Sequence, residues 1–442
     1  MCCGLYWPGL EPELVNMKVF LVTFGSRGDV HPMLGLGRAL QARGHQAIML
    51  TNPAFRDEVA RAGLGFVPIG TEDDYQKTLA HPKLWHPVDG LGVMWRYLLR
   101  PALKPTYEAI RDLCESSRSS KEGKLPLVLA NPMAMGARVA QEKLGIKLVT
   151  TYTATTMLRS VENPLTFAQW RVPKLVPQWL RRVGWKCLDR VKLDPLIKPA
   201  LENLREELGL QPLRGAVFDQ WVHSPIGGLT LFPPWFAPTP SDWPDRLKQG
   251  TFPLYDDSAL SVMDKDLKRF LEGGSAPVVF MPGSAQQGSE NFFRSAIAVC
   301  QHLGLRGVLL GHLGQLASEK LSDFVWASPY HPFAPLLPEA RAIVHHGGVG
   351  TCAHALRAGI AQLVWPQAYD QFDNAMRLEI LGTGLSLNRG PIDEFELSQQ
   401  LSRLCNSSSI QTACQHWAAE IAADSSSGTE MGEMCAWLEQ LK

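Results

Sequence analysis

The chain has 442 residues, 43 basic and 43 acidic side chains, and a 45% apolar fraction. That length suits two or three domains with sizeable cores, and the balanced charge excludes an electrostatic footprint for nucleic acid. Nine cysteines without C-x-x-C spacing read as reduced cytosolic thiols, not a disulfide framework or a zinc site, and no apolar run reaches the ~20 residues needed to cross a bilayer.

Residues 1–16 (MCCGLYWPGLEPELVN) lack a basic leader and carry Glu11 and Glu13, so they do not read as a signal peptide. They read as a disordered extension, with Met17 as the functional start. Strands and helices then alternate. KVFLVTF (18–24) is a β-branched and aromatic run, as expected of a buried parallel strand. A glycine-rich turn and a helix closing at Gly44 follow. Further strands are expected at 46–52, in GFVPIG, at 125–131 and at 147–153. Residues 160–215 are helical, basic and tryptophan-rich, and the proline-rich segment 229–244 reads as an inter-domain connection. The alternation restarts with strands at 277–283, 306–312, 323–328, 342–346, 362–367 and 384–388. Repeated βαβ units predict an α/β fold of two doubly wound domains facing across a cleft. The expected domains are 17–240 and 241–442, with the final helices returning to the first. Ligands would bind at the carboxyl ends of the strands.

Four turns carry candidate chemistry, each with an ordinary structural alternative. In FGSRGDVHP (24–32), Gly25 and Gly28 permit a tight strand-to-helix turn, and Asp29 would face the cleft or cap the helix. In FMPGSAQQG (280–288), Gly283 and Ser284 suit a phosphate or an ordinary turn. In VHHGGVGT (344–351), alternation sends His345 and His346 to opposite faces, so they do not chelate one metal. Gly347, Gly348 and Gly350 lead into a helix whose N–H groups can hold a diphosphate. In WPQAYDQFDNA (365–375), Asp370 and Gln371 can bind sugar hydroxyls or cap a helix. Asp264-x-Asp266 has metal-binding spacing but opens an amphipathic helix, so it reads as structural.

Together these stretches resemble the GT-B inverting glycosyltransferases, the superfamily of UDP-glycosyltransferases and of sterol and antibiotic glycosyltransferases. The signatures are GSRGDVHP and HHGGVGT…RAG…P…DQ…NA, in order over nearly the whole chain from Lys18. HPKLWHP, HSPIGGLTLFPPWFAP, SDWP and FPLYD are similar to the bacterial rhamnosyltransferases that make rhamnolipids. The resemblance implies two Rossmann-like domains, an N-terminal acceptor domain and a C-terminal nucleotide-sugar domain. It implies Asp29 as catalytic base and Ser26 and Ser284 on the diphosphate from each side. It places His346, the Gly347–Gly350 turn and Thr351 on the diphosphate. Tyr330, Pro332 and Phe333 would pack on the nucleobase, and Asp370 and Gln371 would hold donor sugar hydroxyls. Departures are His354, where many UDP-sugar enzymes have a ribose-binding Glu, and Ala361 in place of a proline. The rhamnolipid enzymes keep the histidine at the place of His345 and have proline at that of His346, so either remains a candidate.

The resemblance thus implies a metal-independent hexosyltransferase with no cofactor beyond its dTDP- or UDP-sugar donor. The sugar would be a hexose, with rhamnose from dTDP-rhamnose as the finer form, and the acceptor a hydroxyl of a lipid or other hydrophobic molecule. A UDP-glucose-dependent sterol or polyketide glucosyltransferase is the alternative, and a non-catalytic auxiliary protein of the same fold another. The aromatic stretches 73–100 and 155–185 are expected to line the acceptor pocket. The expected location is the cytoplasm, with peripheral association at the inner membrane face as the alternative.

Overall fold

The structure is a computed structural model, and it describes residues 16–119, 124–164, 166–167, 170–173, 175–255, 263–283, 290–318 and 321–441. Two parallel sheets dominate it. The first contains β1 (Lys18–Val22), β2 (Gln46–Thr51), β3 (Gly65–Pro68), β4 (Leu127–Ala130), β5 (Lys147–Tyr152), β6 (Gly228–Thr230) and β7 (Leu247–Lys248). Its order is β3-β2-β1-β4-β5-β6-β7. The second contains β8 (Val278–Met281), β9 (Gly307–Leu310), β10 (Val325–Ser328), β11 (Ala342–His345), β12 (Ala361–Val364) and β13 (Gly384–Ser386), in the order β10-β9-β8-β11-β12-β13. Each sheet thus reverses direction beside its own first strand, which opens a crevice at the carboxyl strand ends.

Helices cover both faces of each sheet, which explains the unbroken apolar strands. In β1, Val19 and Leu21 enter one core while Phe20 and Val22 enter the other. The helices that matter for function are α1 (Arg27–Ala42), α2 (Gln178–Leu188), α3 (Val349–Ala358), α4 (Gln371–Ile380) and α5 (Thr429–Gln440). The first domain does not end at residue 240. Leu247–Lys248 add its last strand, and Tyr255 packs in its core, so the boundary lies beyond Tyr255. The 229–244 segment is accordingly no simple connector: it supplies Phe232, Phe236 and Trp243 to a core shared by the two domains. α5 lies against α1 and puts Met434, Cys435 and Leu438 into the first domain's core. The expectation for residues 1–16 falls, except for Asn16, outside the described residues.

Across the domains, Trp235 stacks on Trp417 with ring centroids 4.8 Å apart. The Thr155 hydroxyl donates to the buried Asp373 carboxylate, which also pairs with Arg377 Nε at 2.7 Å. Arg377 in turn donates to the Phe236 carbonyl at 3.2 Å. Both bonds to Asp373 fall on Oδ2, and its Oδ1 is buried without a partner among the described residues, so removing Arg377 would leave a buried charge uncompensated. No helix among the described residues is long and apolar enough to cross a membrane.

Candidate active site

A cleft of about 1570 Å³ lies between the two sets of strand ends. Single ligand pockets usually measure ~300–1,000 Å³, so this one has room for two substrates.

One wall begins at the β1–α1 turn. Ser26 is the N-cap of α1, its Oγ accepting from Gly28 N at 3.2 Å, and Asp29 Oδ2 accepts from Ser26 N at 2.9 Å. This reciprocal cap is the structural alternative anticipated for Asp29, and the same side chain also lines the cleft. Gly25 is required here. Its φ is +140°, and a Cβ would lie 2.0 Å from Asp29 Oδ2. Burial pushes the Asp29 pKa up to about 7, and the Asp370 carboxylate adds to this. The Ser26 N–H and the Thr153 hydroxyl act in the opposite direction. A carboxyl group poised near neutrality is matched to proton transfer.

The opposite wall is the β11–α3 turn. In β11, alternation puts His345 on the same face as Ile343, and it is fully buried. Its Nδ1 accepts from Gly347 N at 3.1 Å, so its proton resides on Nε2 and is donated to Gln362 Oε1, also at 3.1 Å. Burial drives its pKa down to about 3. His345 therefore braces the turn from behind, and the structure does not bring it to the cleft. Gly347 is also behind the wall. Its φ of +88° and the 2.6 Å that would separate a Cβ from Val364 Cγ1 require glycine, and its carbonyl accepts from Asn374 Nδ2 at 2.9 Å.

His346 does line the cleft, together with Gly348, Gly350 and Thr351. Its ring lies between Gly283 and Gly348. Burial lowers its pKa to about 4, so it is neutral at pH 7. Its Nδ1 is buried with no partner among the described residues. Gly348 is the N-cap of α3, which leaves the first amides without a side-chain acceptor, and a Cβ on Gly350 would touch nothing. Uncapped amides, a helix dipole and an unpartnered imidazole nitrogen together suit a diphosphate.

Asp370 and Gln371 reach the cleft from the start of α4. Asp370 occupies the N-cap position of α4, but its side chain makes no cap hydrogen bond. Its carboxylate accepts from Asn374 Nδ2 at 2.8 Å, and burial raises its pKa to about 6. Gln371 Oε1 accepts from Gln367 N at 2.7 Å and Ala368 N at 3.0 Å, leaving its amide group as the end able to donate. Gly28, Gly283, Tyr330 and Phe333 also border the cleft, and Phe333 packs on His354 with ring centroids 5.5 Å apart. Ser284 lies outside the described residues. Asp264, of the D-x-D stretch, is the N-cap of the helix Lys265–Glu272, accepting from Asp266 N and Leu267 N.

Three features were not anticipated from sequence. Thr153, at the end of β5, influences Asp29. His31 and Arg27 pair with the buried Glu58 at 3.2 Å and 2.7 Å beside the cleft. Tyr369 adopts a left-handed φ of 55° and donates its hydroxyl to the Leu84 carbonyl at 2.6 Å, joining the domains. Only Tyr369's position beside Asp370 could have drawn attention to it. The apolar end of the cleft is bordered by Trp85 and Tyr97 from one stretch and Val176, Leu180 and Trp185 from the other.

Residues 19–162 match the glycosyltransferase family 28 N-terminal domain, and residues 314–438 match the erythromycin biosynthesis protein CIII-like C-terminal domain. The chain is 28% identical over 377 residues to the O-mycaminosyltylonolide 6-deoxyallosyltransferase of Streptomyces fradiae, covering 83% of this chain and 84% of that one. It is 27% identical over 401 residues to a sterol 3-beta-glucosyltransferase of Arabidopsis thaliana, covering 86% of this chain but only 59% of the plant protein. Among solved structures, the glycosyltransferase VinC in complex with dTDP superposes with a TM-score of 0.66 at 21% identity, over 96% of this chain and 99% of that one. The two parallel sheets and the cleft between them are those of a GT-B glycosyltransferase. The chain is an enzyme of that class, with homologues among the antibiotic and sterol glycosyltransferases. Such an enzyme joins a nucleotide-sugar donor and a small-molecule acceptor in one cleft.

Proposed function

We propose that the chain is an inverting, metal-independent glycosyltransferase that moves a hexose from a dTDP- or UDP-sugar to a hydroxyl of a hydrophobic acceptor. One observation carries the reading: a carboxyl group with a pKa of about 7, on Asp29, borders the same cleft as the uncapped, glycine-rich start of α3. In this reading the acceptor hydroxyl lies beside Asp29, which takes its proton as the new bond to the sugar carbon forms. The bond from that carbon to the diphosphate breaks on the opposite face, and its electron pair leaves with the diphosphate. The α3 amides and His346 stabilise the charge that develops there. His346 Nδ1–H would donate to a phosphate oxygen, the partner it otherwise lacks. Asp370 and the Gln371 amide would orient the sugar hydroxyls. Closure of the two domains would exclude water from the donor.

Rhamnose transfer from dTDP-rhamnose is the finer form of the proposal. His354 in place of a ribose-binding carboxylate supports it, because a deoxyribose offers one hydroxyl fewer. UDP-glucose transfer to a sterol or polyketide is the second reading, supported by the wide apolar cleft and by the sterol enzyme among the relatives. A thermal-shift series with dTDP, UDP and their sugars separates the two. A bound donor stabilises by RT ln(1 + [L]/Kd), about 2.7 kcal/mol at a hundredfold excess over Kd. Greater stabilisation by dTDP-sugars supports the first reading, and greater stabilisation by UDP-glucose the second. No stabilisation by either, together with no turnover, would favour a non-catalytic protein.

A further inference from the structure

α2 and the turn after it form a wall with two unlike faces. On one face, Gly184, Trp185 and Leu188 border the apolar end of the cleft. The other face is open. Leu175 is 94% exposed, Trp179 64% and Val183 52%, and no residue of α2 is buried. Trp179 and Val183 lie four residues apart on α2, with Leu175 in the turn before it, and the exposed Arg182, Lys186 and Arg190 are spaced in the same way, so an apolar patch and a basic stripe run side by side. Val191, 72% exposed, extends the apolar surface. Between Gln178 and Leu193 the single acidic residue is Asp189, and Arg159 holds both its oxygens at 2.7 Å. Just beyond it, Asp194 pairs with Lys198 at 2.9 Å, and Asp219 borders the same hollow as Lys186 and Arg190, so with Arg182 the outward face is cationic on balance.

From this face we infer a docking surface for an anionic phospholipid bilayer, which sets the acceptor end of the cleft against the lipid. Exposed Trp and aliphatic side chains flanked by Lys and Arg are the composition of helices that lie in a membrane interface. Charge argues against a second copy of the chain as occupant, because a two-fold contact would oppose Arg182, Lys186 and Arg190 to themselves, whereas anionic headgroups neutralise them. α2 is about one helix diameter thick, roughly 10 Å. A hydrophobic acceptor leaving the bilayer would cross only that distance to reach Trp185 and Leu188. This last consequence rests on the hydrophobic-acceptor reading above, and the docking itself does not.

Flotation of the full chain with vesicles tests the inference in the absence of donor and acceptor, so its outcome is independent of the transfer reaction. The chain is expected to float with phosphatidylcholine vesicles containing phosphatidylglycerol, and less with phosphatidylcholine alone. Trp179→Asp with Val183→Asp should abolish flotation. Arg182→Glu with Lys186→Glu should weaken partitioning to the anionic vesicles about tenfold or more, with little effect on the neutral ones. All four positions are exposed and away from the cleft, so Tm and transfer to a water-soluble acceptor should not change. Failure of the native chain to float with either vesicle, or equal flotation of all variants, overturns the inference. So does concentration-dependent dimerisation, without vesicle binding, that the same substitutions remove.

Discussion

Ser26 and Asp29 hold one another at the start of α1: the Ser26 N–H donates to Asp29 Oδ2 at 2.9 Å, while Ser26 Oγ receives the Gly28 N–H at 3.2 Å. A helix-capping carboxylate and a catalytic one were competing readings of Asp29, and this contact makes them compatible. An ionised carboxylate has about four acceptor positions, and the cap uses one. The cap also fixes the direction in which the group faces the cleft. Asp29→Asn keeps the shape and removes the base. Its kcat should fall by ~10²–10⁴, with donor affinity little changed by thermal shift. Near-native turnover in this variant would remove Asp29 from the chemistry. Ser26→Ala should cost about 1 kcal/mol of stability through the lost cap.

The pKa of about 7 at Asp29 sets two pH dependences of its own. The base must be ionised, so kcat/KM should rise with pH through about 7 and then level off. Stability runs the other way. The folded pKa lies above the unfolded value of ~3.9, so the native state holds this proton more tightly. The resulting stability is fully present below pH ~4 and is lost as pH rises through 7, at about 1.4 kcal/mol per unit of difference between the two values. Asp370, raised to about 6, acts in the same direction. Asp29→Asn should therefore raise Tm at pH 8 and leave it nearly unchanged at pH 4. A Tm difference independent of pH would contradict the buried, proton-holding carboxyl group.

The two adjacent histidines should separate cleanly. His345→Ala leaves the Gly347 N–H and the Gln362 amide without their buried partner, costing ~1–3 kcal/mol for each unsatisfied group. Its main effect should be a lower Tm. His346→Ala removes no hydrogen bond seen among the described residues, so it should keep Tm and lose turnover. Chemical denaturation and steady-state kinetics on both variants check this. Equal, small effects from both would contradict the division of labour.

Tyr369→Phe removes the hydroxyl that donates to the Leu84 carbonyl across the cleft. The expected stability loss is about 1 kcal/mol. The larger effect should be on kcat/KM, because Tyr369 precedes Asp370 and its partner Leu84 precedes Trp85 at the apolar end of the cleft. Native kinetics with only the small stability loss would show that the link is structural alone.

The fold was legible where burial leaves a local pattern. Parallel strands covered on both faces read as apolar runs, and β1, β8 and β11 stand where such runs do. β7 was not legible, because two residues, Leu247 and Lys248, carry no periodicity. The return of the final helices to the first domain was expected, but the particular Arg43–Glu439 contact at 2.7 Å that accompanies it, between residues nearly 400 positions apart, has no local signal. For the site, alternation along β11 separated His345 from His346. It did not say which one faced the cleft, since that depends on which side of the sheet α3 and Gln362 occupy. The Thr153 and Tyr369 contacts were silent for the same reason, as tertiary neighbours brought together only by folding.

The most direct test of the central claim is the configuration of the product. The chain is incubated with a dTDP- or UDP-sugar and a hydrophobic alcohol. Proton NMR then reads the anomeric centre, and release of nucleoside diphosphate is followed for the native chain and for Asp29→Asn. An inverted anomeric centre is expected, with release that collapses in Asp29→Asn. A retained configuration, or undiminished release without the Asp29 carboxylate, would contradict the claim.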